Sequence, residues 1–161
     1  MSRNVRVLKC SPDDVFAVIA DGWLFPSWVV GASRMREVDE GWPTPGTELH
    51  HSFGVWPAVI DDTTSSIEWN PPHRAVLKAR GWPIGEALVV VDVKPRGEDT
   101  VVRIQEDAVA GPGTLVPKPL LDLALYIRNR ETLHRLAYLA EGRAHRSERS
   151  TAEREISEGS E

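Results

Sequence analysis

The sequence predicts an α+β fold in which a curved antiparallel sheet of seven strands packs around one long C-terminal helix. Residues 32–108 follow the period-two alternation of β-strands and are divided by turns containing glycine and proline, whereas the residues from Leu120 to about Arg146 follow a helical pattern. Short turns between consecutive strands favour an antiparallel meander. Because strand–helix–strand repeats and glycine-rich phosphate motifs are absent from the sequence, a doubly wound nucleotide-binding fold is excluded.

The chain begins with a strand, predicted from Asn4 to Lys9, and a short helix. The segment Ser11-Pro12-Asp13-Asp14 is typical of a helix start, because Ser caps the helix, Pro suits its first position and acids favour the positive end of the dipole. Gly22 is placed to end this helix. The aromatic segment 23–28 predicts a second short helix or turn that lies on the sheet and helps to roof a cavity.

Six further strands are expected from the alternation and from the turns that interrupt it. They lie near residues 32–39, 47–53, 58–69, 74–80, 85–94 and 100–108. Together with the N-terminal strand they complete the sheet.

The final helix is predicted to have two different halves. In the second half a single face is apolar, formed by Leu133, Leu136, Ala137 and Ala140. In the first half, between residues 120 and 127, apolar residues surround the helix, so we expect protein, a partner or a ligand to cover every side. The predicted organisation is one ligand-binding domain over residues 1–146.

An acidic tail follows the predicted domain. Residues 147–161 carry five Glu against two Arg and have Ile156 as their one sizeable apolar residue. Such a segment cannot bury enough apolar surface to fold alone. We therefore expect 147–161 to be disordered or a frayed helix.

Composition narrows the classes of function. A net charge of −5 argues against nucleic-acid binding, which normally needs a basic face, and no apolar run is long enough to cross a membrane. The alternating N-terminus lacks the apolar core of a secretory signal, so a cytoplasmic location is expected. Cys10 is the single cysteine, which excludes an intrachain disulfide and favours a buried structural thiol. No histidine pair has metal-ligand spacing, and we predict no metal and no cofactor.

Three segments carry a resemblance to a known superfamily. They are Ser11-Pro12-Asp13-Asp14-Val15-Phe16, Glu68-Trp69-Asn70-Pro71-Pro72-His73-Arg74 and Arg128-Asn129-Arg130-Glu131-Thr132-Leu133. With the order of elements, they make residues 3–145 resemble the START/polyketide cyclase-dehydrase (SRPBCC) superfamily. The resemblance implies the helix-grip fold, a START-like scaffold that hosts binding, transport and catalysis in different members.

Strand alternation predicts which side chains face the cavity. On three strands the inward sets are chosen because they carry more apolar bulk than the alternate sets. These inward residues are Leu49, His51 and Phe53; Asp61 and Trp69; and Val102, Ile104 and Glu106. The inner face of the sheet is therefore expected to be mainly apolar with a few polar points.

An apolar concavity with a few polar groups is the usual form of a small-molecule site. The leading hypothesis is therefore the binding of an apolar small molecule, such as a lipid, a polyketide or an aromatic metabolite. The residues predicted to contact it are Trp23, Trp28, Leu49, Phe53, Trp69, Val89, Val102, Ile104, Leu121 and Leu125.

Two other functions stay open at this point. A cofactor-independent polyketide cyclase or dehydratase would use His51, Asp61 and Glu106 as catalytic residues, with the Asp orienting the imidazole for removal of a proton next to a carbonyl. The structural alternative is that the two acids cap turns or pair with arginines and that His51 is a hydrogen-bonded core residue. A protein-interaction module would instead expose an apolar patch at residues 120–127, and a homodimer is left open.

Overall fold

Seven strands form one antiparallel sheet in the computed structural model, which describes residues 2–81, 85–111 and 117–158. The strands are β1 (Ser2–Leu8), β2 (Ala32–Val38), β3 (Glu48–Val55), β4 (Ala58–Asn70), β5 (Arg74–Gly81), β6 (Gly85–Arg96) and β7 (Asp99–Ala110). Their order across the sheet is β1-β7-β6-β5-β4-β3-β2. The first strand therefore lies beside the last, and the predicted meander from β2 to β7 is confirmed.

Two short helices connect β1 to β2, as predicted. The first, α1 (Pro12–Ala20), begins with a complete capping box, in which the Ser11 hydroxyl accepts from the Asp14 amide at 3.2 Å and the Asp14 carboxylate accepts from the Ser11 amide at 3.2 Å. A 3-10 turn over Gly22–Leu24 leads into α2 (Phe25–Trp28). Phe25 and Trp28 are buried, so α2 lies against the sheet as expected.

The long helix α3 (Lys118–Glu158) packs its second half into the core. Leu133, Leu136, Ala137 and Ala140 are buried, as the helical spacing predicted. The helix does not stop near Arg146 but continues to Glu158, so residues 147–158 are helical, which is one of the two predicted alternatives, and 147–157 are exposed. Residues 159–161 lie outside the described part of the chain, and the end of the domain stays a prediction.

The first half of α3 is covered on one side only. Leu121 and Leu125 are partly buried, whereas Leu120, Leu123 and Ile127 are exposed. Within the described chain, protein therefore covers only one side of this half, and coverage of the other sides by a partner or a ligand stays a prediction. The exposed residues form the apolar patch that the interaction hypothesis predicted.

The core lies between the concave face of the sheet, α1, α2 and the second half of α3. It includes Leu8, Val15, Phe16, Ile19, Leu49, Val91, Val102 and Leu136, each nearly or completely inaccessible to water. Burial of a side chain of this size contributes on the order of 2 kcal/mol. Among the described residues, none of the helices combines the length and apolar character needed to span a membrane.

A β-bulge in β4 decides which side chains reach the cavity. Pairing with β5 shifts register between Ser66 and Glu68, so that Ile67 has no partner on β5 and is 49% exposed. Before the bulge, Asp62 and Thr64 are buried, whereas after it Trp69 pairs with buried Ala75. The inward set therefore changes from even to odd residue numbers within a single strand.

Candidate functional site

A cavity of about 230 Å³ lies between the sheet, α2 and the first half of α3. At the volume that water occupies in the liquid, this space corresponds to about eight molecules. Its wall is mainly apolar, and six of the predicted contact residues belong to it. They are Trp28, Phe53, Val89, Ile104, Leu121 and Leu125.

Four other predicted contacts do not belong to the wall of this cavity. Leu49 and Val102 face inward as predicted, but they are packed into the core beneath the helices. The Trp69 ring packs edge-on against Phe16, with the ring centroids 5.0 Å apart. Trp23 is 61% exposed. Strand alternation identifies the inner face, but the positions of the helices decide where that face meets the core and where it meets the cavity.

Gly31 leaves room for the ring of Phe53, which belongs to the cavity wall. A Cβ atom at Gly31 would stand 2.3 Å from two ring atoms of Phe53, closer than side chains approach. Gly31 also has a φ of +102°, which side chains rarely tolerate. The amide of Gly54 donates to the Gly31 carbonyl at 2.9 Å, which fixes the two segments together.

The prediction that Asp61 faces the cavity is wrong. Asp61 pairs with Ser52 across the sheet, its side chain is 64% exposed, and it accepts from the Ser52 hydroxyl at 3.0 Å. An ion pair with Arg36 at 3.3 Å completes its contacts on the outer face. The error arises at the β4 bulge, because strict alternation places Trp69 and Asp61 on one face although the strand changes parity at Ile67.

His51 faces the cavity, as predicted, and is 3% exposed. Its ring packs against Phe25 with centroids 4.9 Å apart, and Nε2 shares a hydrogen bond of 3.0 Å with the Thr64 hydroxyl. Burial lowers the pKa of His51 to about 4; the Ser52 backbone opposes this shift, and Arg36 adds to it. The imidazole is therefore neutral at pH 7.

Asp62 occupies the position that strand alternation predicted for Asp61. It is the cross-strand partner of His51, is buried and belongs to the cavity wall. One carboxylate oxygen accepts from the Thr63 amide at 2.8 Å. Burial raises the pKa of Asp62, and the Thr63 amide and the charges of Arg80 and Arg36 oppose that shift.

Glu106 also faces the cavity, as predicted, and is 2% exposed. Its carboxylate accepts from the Arg128 guanidinium and, at 2.9 Å, from the Asn129 amide, both on α3. The structure thus ties Glu106 into an ion pair between β7 and α3. Of the three predicted catalytic residues, His51 and Glu106 share the cavity and Asp61 does not.

Three buried polar atoms in the wall have no hydrogen-bond partner within the described chain. They are Nε1 of Trp28, Nδ1 of His51 and Nε of Arg128. Buried polar groups are nearly always paired in folded proteins, so three orphans around one cavity indicate a place where a bound molecule supplies the partners.

The family model described as "Polyketide cyclase / dehydrase and lipid transport" matches residues 2–141. The chain belongs to the polyketide cyclase/dehydrase family. No curated protein matches the sequence significantly.

Solved structures share the fold of this polyketide cyclase/dehydrase family member at low sequence identity. Protein NE0264 from Nitrosomonas europaea is 16% identical with a TM-score of 0.68, covering 88% of this chain and 94% of that chain. Protein CV1439 from Chromobacterium violaceum is 18% identical with a TM-score of 0.64, covering 86% and 96%. The di-domain ARO/CYC StfQ from the steffimycin biosynthetic pathway is 14% identical with a TM-score of 0.70, covering 89% of this chain and 51% of that chain. At these identities the likeness shows the fold alone.

Sequence reasoning missed several polar residues in the cavity of this family member. Asp62 and Thr64 were missed because of the bulge. Arg128 and Asn129 belong to a segment that carried the resemblance, but no pattern in that segment indicates that they turn toward Glu106. Their contact with Glu106 joins α3 to β7, so it depends on packing between distant segments and not on a local pattern.

Among the described residues of the wall, acidic side chains outnumber basic ones. The acids are Asp62, Glu86 and Glu106, and the bases are Arg80 and Arg128. Arg128 is paired with Glu106, and Arg80 lies 3.7 Å from Glu86, which also accepts Lys78 at 3.2 Å. Within the part of the chain that the structure describes, no cluster of three or more His, Cys, Asp or Glu side chains could hold a metal ion.

Proposed function

We propose that this protein binds an apolar small molecule in the cavity between the sheet and α3. The observation that carries the proposal is the cavity itself, about 230 Å³ of space with a mainly apolar wall that includes Phe53, Val89 and Leu125. Apolar walls with a few polar groups are the usual form of ligand sites. Membership of a family described by polyketide cyclisation, dehydration and lipid transport supports the same proposal.

Two measurements on the purified protein can identify the ligand. Native mass spectrometry of protein purified from its own host should show an added mass, and organic extraction should release an apolar compound. A neutral fluorescent probe such as N-phenylnaphthylamine should then bind the emptied protein and be displaced by the extract. The proposal is contradicted if the purified protein is repeatedly empty and also fails to bind the probe.

A matched pair of variants ties binding to this cavity. Ala79 belongs to the wall, so Ala79→Phe should fill part of the space and weaken probe binding. Ile67 is exposed on the bulge, so Ile67→Phe adds a ring of the same size outside the cavity and should leave binding unchanged. Circular dichroism checks that both variants fold. Equal binding by both folded variants would place the ligand elsewhere.

A cofactor-independent cyclase or dehydratase is the second candidate, and one observation favours it. His51 and Asp62 are cross-strand partners that share the cavity wall. Burial lowers the pKa of His51 to about 4, which makes the imidazole a weak base, and burial raises the pKa of Asp62, which makes its carboxylate a better base than an ordinary aspartate. We therefore assign proton removal to Asp62 in this candidate. The ARO/CYC neighbour StfQ supports it by fold alone.

Deuterium exchange distinguishes the catalytic candidate from the binding function. Methyl naphthyl ketone in heavy water should lose its methyl proton signal faster with wild-type protein if Asp62 removes a proton next to the carbonyl. Asp62→Asn should abolish the acceleration, and Asp61→Asn should retain it because Asp61 lies on the outer face. Binding of the ketone without any acceleration contradicts the catalytic candidate and leaves the binding proposal intact.

A further inference from the structure

The unpartnered indole N–H of Trp28 indicates which kind of ligand the cavity binds. Trp28 is 2% exposed, belongs to the cavity wall and has no acceptor for Nε1 within the described chain. An indole nitrogen can only donate a hydrogen bond. A ligand that offers an oxygen at this position satisfies a donor that a hydrocarbon leaves unpaired.

The imidazole of His51 is a second polar group in the cavity wall. The Phe25 ring contacts both Trp28, at a centroid distance of 5.6 Å, and His51, at 4.9 Å. The ring of Phe25 therefore lies against both side chains, and all three residues belong to the cavity wall.

His51 can serve either a carbonyl or a hydroxyl. If the Thr64 hydroxyl donates to Nε2, then Nδ1 carries a hydrogen and donates to a carbonyl; if Nε2 donates to Thr64, then Nδ1 accepts from a hydroxyl. Trp28 thus requires an acceptor, and His51 adapts to either group.

Charge decides between a neutral ligand and an acid. Arg128 offers its unpartnered Nε–H, but its positive charge is balanced by Glu106. Asp62 and Glu86 add further acidic groups to the wall. A carboxylate ligand would therefore lose its hydration in a wall whose acidic side chains outnumber its basic ones, which is unfavourable in a buried site.

Building on the proposed binding function, we infer that the cavity selects a neutral apolar molecule bearing a carbonyl oxygen that accepts from Trp28. The selection operates against hydrocarbons of the same shape, which leave the indole unpaired, and against free carboxylic acids. A long-chain fatty acid is therefore a poor ligand, and an aromatic or alicyclic ketone is a good one.

Three probes of one shape test the inference by isothermal titration calorimetry: methyl naphthyl ketone, ethylnaphthalene and naphthoate. Wild-type protein should bind the ketone about tenfold more tightly than the hydrocarbon and bind naphthoate most weakly. Trp28→Phe should reduce ketone affinity about tenfold and leave hydrocarbon affinity unchanged. Trp23→Phe is the matched control, since Trp23 is exposed and outside the wall, and it should alter none of the three affinities.

A second measurement needs no variant. In wild-type protein the Nε1–H resonance of Trp28, assigned through its contact with Phe25, should move downfield when the ketone binds and stay in place with ethylnaphthalene. Equal affinities for ketone and hydrocarbon, tighter binding of naphthoate, or a resonance that ignores the ketone overturns the inference while leaving cavity binding established. Failure of all three probes to bind overturns this inference, whereas the proposed function is tested separately by ligand extraction and by binding of N-phenylnaphthylamine.

Discussion

His51 and Asp62 face each other across β3 and β4, so their side chains enter the same cavity from neighbouring strands. Their chain neighbours do the opposite: His50 bonds to Asp39 at 3.1 Å, and Asp61 bonds to Ser52, both away from the cavity. A displacement of one residue along either strand would exchange the inward set for the outward one. The chemistry of the cavity thus depends directly on strand register.

Stability should fall as the pH drops from 6.5 toward 4 because of His51. Its pKa is about 4 when folded and 6.5 in its ordinary state, so the unfolded chain binds the proton first in this window. The full effect amounts to about 3 kcal/mol of unfolding free energy, present above pH 6.5 and lost as the pH falls. Urea unfolding at several pH values measures it, and His51→Gln should flatten the curve.

Asp62 opposes this pH dependence. Its pKa is raised in the folded state, so protonation at low pH favours folding and offsets part of the loss from His51. Asp62→Asn should therefore steepen the decline between pH 6.5 and 4. A decline of the same size in wild type and in His51→Gln contradicts the assignment to His51.

Removing the Glu106 carboxylate should destabilise the fold strongly. Glu106→Leu leaves Asn129 and Arg128 without their acceptor, and breaking a buried pair on one side costs about 3 kcal/mol or more. Urea unfolding measures the loss. Glu131→Leu is the matched control, because the Glu131–Arg135 pair is exposed, and it should leave the unfolding midpoint in place. Similar midpoints for the two variants would show that the Glu106 cluster contributes little.

Deletion of Ile67 should be tolerated, because Ser66 and Glu68 already pair with consecutive residues of β5 and joining them restores regular alternation on both sides of the bulge. Deletion of Thr63 is the contrasting variant, since it joins two residues that both face inward and forces one of them to turn outward. We expect that second deletion to cost more than about 3 kcal/mol of unfolding free energy. Urea unfolding measures both variants, and equal losses would contradict the assignment of Ile67 as the extra residue of the strand.

Truncation tests where the domain ends. A chain ending at Arg146 loses a helical segment whose side chains are exposed, so the unfolding free energy should change by less than about 0.5 kcal/mol. A chain ending at Tyr138 also loses buried Ala140 and should not fold stably. Thermal unfolding distinguishes the two. Marked destabilisation of the chain that ends at Arg146 would mean that the predicted boundary near residue 146 is wrong.

Local sequence patterns were sufficient to predict the fold. The strand predicted over 74–80 is found at Arg74–Gly81, and the one predicted over 58–69 is found at Ala58–Asn70, because alternation and turn residues are properties of neighbouring amino acids. The cap at Ser11 was equally local. Each of these features depends on residues within a few positions of one another.

The cavity could be predicted only in part, because its wall depends on distant contacts. His51 and Glu106 face the cavity as alternation predicts, since β3 and β7 alternate without interruption around them. Asp61 was misplaced because nothing near Ile67 in the sequence marks the bulge, which forms only when β4 pairs with β5. The sequence left open whether residues 147–161 are disordered or helical, because composition argues against burial and not against a solvated helix such as the one that extends to Glu158.

Gly31 carries a further consequence for the evolution of ligand choice. It is the absence of a side chain there that lets the Phe53 ring lie back against the backbone. A larger residue at this position would displace the Phe53 ring toward the cavity and reduce the volume available to a ligand. Specificity in this fold can therefore change through a residue that a ligand never touches.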